Sequence, residues 1–340
     1  MIRLLRKIKQ QLILLLDIPN QILIYLIWKY KRFDLKESIV IFSEARGGST
    51  WLMEILSALP NNCINWEPLH VTKGVVPKKY KFGSRPFIPH EEENKLYSKL
   101  FKEILSFSKS TKWSRKHLSI LKILKSKFVI TKFVRANLLI PYIFENYEFE
   151  KPPIFLIRHP IDSCLSAINT FVNKRWVCAN DDIPDIINNN RYKENIHFLS
   201  KLETRLEISI ANWCLNNVPT LNNSDVLNKM TVVFYYDLIL DPETQIQYIS
   251  NNLGLSKKNR DNLLSVDYKK PSFSSVPGKL ESNPTNQINK NFNCLSSIEK
   301  DKIQMIFDYF DFKLFDAYSP EPNKQFLLNG RNIERYELNI

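Results

Sequence analysis

Residues 37 to 69 constrain this chain more than any other stretch. They begin with a short apolar run, Ile39-Val40-Ile41-Phe42, whose β-branched residues suit a buried strand. Arg46, Gly47 and Gly48 then make a turn, and Ser49 and Thr50 open an apolar-periodic helix that Pro60 stops. Strand, glycine turn and helix start together form an anion site. The backbone N–H groups of the turn and the positive end of the helix dipole point at one spot, and the glycines let oxygens approach the main chain.

A triphosphate-binding Walker A loop needs G-x-x-x-x-G-K-[ST], because its Lys reaches the β- and γ-phosphates and its hydroxyl binds magnesium. Here Ser49 follows Gly48 directly, no Lys is present, and the fixed cation, Arg46, precedes the glycines. That order resembles the 5′-phosphosulfate loop of sulfotransferases, roughly [RK]-x-G-[ST]-[ST]-[WFL], which Arg46, Gly48, Ser49, Thr50 and Trp51 fit. Sulfotransferases use 3′-phosphoadenosine-5′-phosphosulfate (PAPS) as sulfuryl donor.

A second stretch, 153 to 171, repeats the pattern of strand into helix, with Ile154 to Ile157 as the strand and Pro160 suited to a first helical turn. Arg158 ends the strand and Ser166 follows eight residues later. A guanidinium fork with a hydroxyl is what a terminal phosphate monoester requires. The resemblance implies that Arg158 and Ser166 bind the 3′-phosphate that separates PAPS from ATP.

Chemistry at the acceptor needs a base, because a hydroxyl must lose its proton as it attacks sulfur. A short strand at Cys63 to Trp66 ends in Glu67-Pro68-Leu69-His70, and carbohydrate sulfotransferases carry a similar E-P-L segment whose Glu is their base. Glu67 is therefore the candidate base, with burial beside Trp66 expected to raise its pKa. His70 is the rival base, and a structural ion pair is the other role open to Glu67. Lys132 and Arg135, after a strand at Phe128 to Phe133, resemble a family K-x-x-R on the acceptor side. An expected loop over 267 to 295 stands where the family's loop folds over the nucleotide's adenine and phosphate end, and the resemblance makes Ser274, Ser275 and Lys279 candidates for that role. Trp51 is a candidate for packing on the adenine, with core packing as its other role. Arg46, with the N–H groups of Gly47 to Thr50, would clamp the 5′-phosphosulfate electrostatically, since an arginine cannot donate its proton.

Elsewhere the chain reads as scaffold. Helices are expected over Lys95 to Phe107, Lys116 to Leu124, Glu194 to Asn217 (one long helix) and Ser296 to about Phe310, the last opened by a Ser296–Glu299 capping box. Thr231 to Tyr235 is a further strand, followed by Asp241 as N-cap, Pro242 as first helical residue, and Gly254 as the stop. Apolar strands alternating with helices imply a three-layer, P-loop-like α/β fold with a mainly parallel central sheet. The expected organisation is an N-terminal amphipathic segment at 1–33, a sulfotransferase domain at 34–318 with 71–126 as a lid or acceptor insertion, and a tail at 319–340.

Composition narrows the partners. A formal charge of +13 over 340 residues favours anionic partners, yet no nucleic-acid motif accompanies it. Five widely spaced cysteines form no C-x-x-C pair, which points to a reduced, cytoplasmic setting and to no metal site. In the segment 1–33, basic residues flank an apolar stretch from Leu12 to Trp28 that Asp17, Pro19, Asn20 and Gln21 interrupt. This reads as interfacial helices on an anionic membrane surface with Trp28 at headgroup depth, or as packing on the domain. A signal-anchored, Golgi-type membrane protein is the alternative.

The resemblance thus implies in-line sulfuryl transfer from PAPS, without a metal, to a hydroxyl of a carbohydrate or glycoconjugate. The rival readings are a P-loop-like nucleotide kinase, disfavoured by the missing Lys and magnesium ligands, and a non-catalytic, membrane-associated nucleotide-binding protein.

Overall fold

The computed structural model describes residues 18–19, 22–31, 33–80, 82–83, 85–89, 95–170, 191–275, 281 and 283–328. Among these, five strands form one sheet: β1 (Ile39–Ser43), β2 (Asn62–Trp66), β3 (Phe128–Phe133), β4 (Ile154–Ile157) and β5 (Thr231–Phe234). All neighbours are parallel, in the order β2-β3-β1-β4-β5. The strands are apolar on both faces because helices cover both. Alternation sorts their side chains: Ile39, Ile41, Ile130, Ile154 and Leu156 share one core cluster, and Val40, Phe42, Phe133, Phe155 and Ile157 share the other. The register Phe42↔Phe133 stacks two of these rings 5.4 Å apart.

The helices used below are α1 (residues 22–30), α2 (Ser49–Leu56), α3 (Lys95–Leu105), α4 (Ile120–Lys125), α5 (Ile140–Asn146), α6 (Pro160–Thr170), α7 (Arg191–Leu199), α8 (Arg205–Leu221), α9 (Pro242–Asn252) and α10 (Ser297–Tyr309). Leu52, Met53 and Ile55 of α2 and Ile246 and Ile249 of α9 pack on the first face. On the second lie Leu100 and Phe101 of α3, Ile140 and Ile143 of α5, Ile161 and Cys164 of α6, Ile210 and Cys214 of α8, and Ile303 and Phe307 of α10. The result is the expected three-layer α/β architecture.

This topology fixes where a ligand can sit. The chain leaves β1 toward β2 on one side and leaves β4 toward β5 on the other. The helices that follow, α2 and α6, therefore lie on opposite faces, and a crevice opens between the carboxyl ends of β1 and β4.

Three sequence expectations change in detail. The single helix expected over Glu194 to Asn217 is two, because Thr204 and Glu207 form a capping box that starts α8 afresh after α7 has ended at Leu199. The loop expected over 267 to 295 contains a short helix, Pro284–Asn289, which Asn283 caps and Pro284 opens. The helix expected from Lys116 forms only at Ile120, where the Ser119 side chain caps it.

At the N-terminal end, Trp28 does not project outward to headgroup depth. Its indole is buried against Phe107 and donates from Nε1 to the Phe107 carbonyl at 2.8 Å. Ile24, Phe33, Leu118, Ile123 and Val129 complete a third, smaller core cluster with it. An indole with a buried N–H partner and an apolar bed is better satisfied there than at an interface. No helix among the described residues is long and apolar enough to cross a membrane.

Candidate active site

The turn after β1 puts two residues at positive φ, Arg46 at 65° and Gly48 at 93°. Glycine is required at 48 on two counts. Its φ lies in the left-handed region, and an added Cβ would come within 2.5 and 2.7 Å of Cδ2 and Cε2 of Tyr235. Gly47 is equally tight: a Cβ there would lie 2.8 Å from the Glu44 carbonyl oxygen, which accepts the Gly47 N–H at 2.9 Å. Gly48 is the N-cap of α2 and carries no side chain to cap it. By contrast, Thr204, Asp241, Ser256 and Ser296 cap their own helices. Among the described residues the first-turn amides of α2 thus have no side-chain acceptor, and Gly48, Ser49 and Thr50 line a cleft of about 1330 Å³.

Two guanidiniums meet at this turn. Arg158, at the end of β4, donates from Nη1 to the carbonyl of Arg46 at 2.9 Å. Its remaining neighbours include the Asp162 carboxylate at 3.6 Å and the Tyr235 ring, 4.4 Å below. Arg46 donates from Nε to Ser166 Oγ at 3.2 Å and from Nη1 to the Ser274 carbonyl at 3.1 Å. Ser166 is thereby held by Arg46, and both it and Arg158 line the cleft. Burial, together with the nearby charge of Arg158, lowers the pKa of Arg46. Two like charges in a half-buried cleft are a standing cost that a bound anion would relieve.

The residue between Arg158 and α6 secures the strand end. His159 is fully buried; its Nδ1 accepts the Ile161 N–H at 3.1 Å, so Nε2 carries the proton and donates to the Asp316 carbonyl at 2.9 Å. Burial drops its pKa to about 3, which keeps the ring neutral beside the arginine.

The same cleft is lined by a buried ion pair. Lys132, in the middle of the β3 apolar run, points its ammonium at Glu67 Oε1 (2.8 Å), at Thr50 Oγ1 (3.1 Å) and over the Trp66 ring (3.6 Å). Arg135 reaches the other carboxylate oxygen, 3.8 Å away. Desolvation pushes the Glu67 pKa up, but the charges of Lys132 and Arg135 outweigh it, and the net shift is downward. The raised pKa expected from burial beside Trp66 is therefore not found. Desolvation also drops Lys132 to about 8, with Glu67 opposing that fall.

The other expected site residues sort as follows. Trp51 and Ser275 line the cleft, and the Trp51 indole meets the Tyr235 ring edge-on at 6.2 Å. His70 does not line it. Its Nδ1 accepts the amides of Thr72 and Lys73, both at 3.3 Å, and its ring lies against Trp113. Burial lowers the His70 pKa, so the ring is neutral. Lys279 lies outside the described residues.

Residues of the loop that precedes Lys279 line the cleft. Phe273 donates its amide to Glu54 at 3.1 Å and packs its ring on Trp66, while Ser272, Ser274 and Ser275 share hydroxyl contacts at 3.1 Å.

One residue has a second contact beyond the sequence reading, and one contributor escaped it. Lys132, expected on the acceptor side, bonds Glu67 and also reaches the Thr50 hydroxyl of α2. The signal was a lone cation inside an apolar strand, which is tolerated only when paired. Tyr235 supports both Gly48 and Arg158, and nothing local in the sequence marks it.

No protein-family model matches this sequence, and neither does any curated protein sequence. Among solved structures, the chain is similar to a mouse sulfotransferase complexed with PAP (14% identity, 89% of this chain and 90% of that one, TM-score 0.40). It is also similar to the sulfotransferase domain of the Synechococcus olefin synthase (17% identity, 80% and 94%, TM-score 0.35). A third is the sulfotransferase domain from the curacin biosynthetic pathway (15% identity, 82% and 99%, TM-score 0.38).

Proposed function

We propose that this chain is a sulfotransferase that takes the sulfuryl group from PAPS and passes it to a hydroxyl, on a carbohydrate or glycoconjugate acceptor. The observation that carries the reading is the meeting of Arg158 with Arg46, which in turn holds Ser166, at an α2 terminus whose N-cap is Gly48. Within one cleft, residues 48 to 50 offer main-chain amides and hydroxyls for a 5′-phosphosulfate, and Arg158 and Ser166 offer a guanidinium and a hydroxyl for a 3′-phosphate. The donor set fits a nucleotide bearing two separate anionic groups. The tight approach at Gly48 and the mutual repulsion of the arginines are features that such a ligand would exploit.

PAPS supplies an activated sulfuryl group whose bond to the 5′-phosphate breaks as a bond to the acceptor oxygen forms. The chain's own residues contribute position and charge. Arg46 and the amides of residues 48 to 50 hold the anionic end, and the Lys132 ammonium adds a fixed cation beside Thr50 for charge that develops on the phosphate. Arg158 and Ser166 hold the ribose phosphate. Trp51 and Ser275, which line the same cleft, complete the nucleotide wall. The acceptor proton goes to Glu67, which is ionised and is the one of the two base candidates that faces the cleft. The likeness of its E-P-L segment to carbohydrate sulfotransferases supports a sugar hydroxyl as acceptor.

The test is a paired titration followed by a transfer assay. PAP should bind more tightly than 5′-AMP and more tightly than ATP with magnesium, and radiolabel from PAPS should move to glycans of the source organism. A preference for ATP with magnesium would overturn the reading in favour of the kinase. PAP binding with no transfer to any acceptor would favour a non-catalytic nucleotide-binding protein.

A further inference from the structure

The outward face of α1 is apolar where a surface helix should be polar. Ile22, Leu26 and Tyr30 of α1 follow one another at intervals of four and are 54%, 46% and 77% exposed, and Ile18, ahead of the helix, is 51% exposed. That spacing lines up the three residues of α1 as a single ridge pointing away from the protein. Leu23 and Tyr25 flank it, at 45% and 42%. The inward face is firmly seated: Ile24 and Trp28 are in the core, and the Trp28 N–H is bonded to the Phe107 carbonyl. Helix α4 lies alongside, its Ile120 and Ile123 in the same cluster and its Leu124 carbonyl accepting from Lys31 Nζ at 3.2 Å. It too turns leucines outward, with Leu121 68% and Leu124 56% exposed. Two anchored helices therefore present one shared apolar surface.

The charges around this surface are basic. Lys29 and Lys31 close the end of α1, Lys122 and Lys125 alternate with the exposed leucines of α4, and the Arg115 guanidinium sits over the rings of Tyr25 and Trp28. The sequence immediately ahead, residues 1 to 17, carries Arg3, Arg6, Lys7 and Lys9 among leucines and isoleucines. Soluble monomers rarely leave a contiguous apolar patch of this kind in water. Apolar ridge, interfacial tyrosines and basic rim match what an anionic bilayer offers: a hydrocarbon boundary beneath negatively charged headgroups.

We propose that the outer face of α1 and α4 is a docking surface for an anionic lipid membrane, on which the chain lies without crossing. Ile22, Leu26 and Tyr30 enter the headgroup–acyl boundary, and the lysines contact lipid phosphates. This proposal is independent of the sulfotransferase reading, because none of these residues lines the cleft.

The experiment is flotation of the full chain with vesicles of phosphatidylcholine alone and of phosphatidylcholine with about one-third phosphatidylserine. Binding is expected to the anionic vesicles, weakening as salt rises. Leu26→Asp with Leu121→Asp should cut the bound fraction by about tenfold or more, since each change withdraws a leucine-sized apolar contact and adds a charge. Leu26→Trp should retain binding. Both leucines are solvent-exposed, and an unchanged thermal unfolding curve shows that the fold is intact. Failure to float with anionic vesicles overturns the proposal. So does undiminished binding by the double variant, which would assign the membrane contact to residues 1 to 17 alone. A dimer that the double variant converts to monomer, without vesicle binding by either, would make the face an interface between two copies and equally overturn it.

Discussion

Replacing Arg158 should cost the chain its preference for a nucleotide that carries a ribose 3′-phosphate. The guanidinium is 9% exposed and bound on three sides, by the Arg46 carbonyl at 2.9 Å, the Asp162 carboxylate at 3.6 Å and the face of Tyr235 at 4.4 Å. Truncation to alanine has two separable effects. In the free protein it leaves Asp162, itself 4% exposed, with the Asn291 amide at 2.6 Å but without its cation, and the loss of one partner of a buried pair costs up to about 3–5 kcal/mol of stability. In the complex it removes a desolvated cation from a phosphate, worth about 2–4 kcal/mol, or roughly 30- to 900-fold in affinity. Titrating PAP and 5′-AMP in parallel isolates the second effect, because only PAP carries the 3′-phosphate while both nucleotides report any damage to the fold. The ratio of their dissociation constants should collapse by that factor in Arg158→Ala. Arg158→Lys keeps the charge near Asp162 but loses the planar fork, so the ratio should fall by only about 1–2 kcal/mol. If both affinities drop together and the ratio holds, Arg158 serves only to support the Arg46 turn, and the 3′-phosphate assignment is refuted.

Three further perturbations probe the rest of the cleft. Gly48→Ala combines left-handed strain of about 1–2 kcal/mol with overpacking against Tyr235 of about 1–3 kcal/mol. It should lower the melting temperature and PAP affinity together, and wild-type behaviour in both would show that the approach at residue 48 is not tight. Glu67→Gln should lower turnover by about 10²–10⁴-fold while PAP still binds; loss of PAP binding instead would make Glu67 structural. The same substitution should flatten acid unfolding. The folded-state pKa of Glu67 is lowered, so its ion pair stabilises the protein above the ordinary carboxylate pKa, and that contribution is lost as pH falls through the lowered value. Lys132 titrates in the other range. Its pKa is about 8 when folded and 10.5 in the ordinary state, so the unfolded chain binds more protons between those values and stability from this group rises with pH there. PAP affinity should do the reverse and weaken above pH about 8 as the cation beside Thr50 is lost. Lys132→Met should remove that pH dependence, and a dependence that survives it assigns the titration elsewhere.

Much of the scaffold was legible in the sequence because its signals are local. β3 and β4 have the expected bounds, since short apolar runs between turn residues admit little else. Asp241-Pro242 and Ser296 to Glu299 start their helices as read, because a cap and its first turn are contacts within a few residues. Where a local signal was overlooked, at Thr204–Glu207 and Asn283-Pro284, the boundary came out wrong for the same reason. The turn from Arg46 to Thr50 was readable too, since a left-handed residue next to a helix start demands glycine.

The tertiary structure alone decided what depends on residues far apart in the chain. Arg46 and Arg158 are separated by 112 positions, and only the parallel pairing of β1 with β4 sets their groups side by side. The pairing of β3 with β2 carries Lys132 to Glu67, and β3 beside β1 brings it to Thr50, which reverses the pKa shift that burial by itself would impose on Glu67. A sequence states which groups are charged. The sum of opposing desolvation and Coulomb terms exists only once the fold has set their distances.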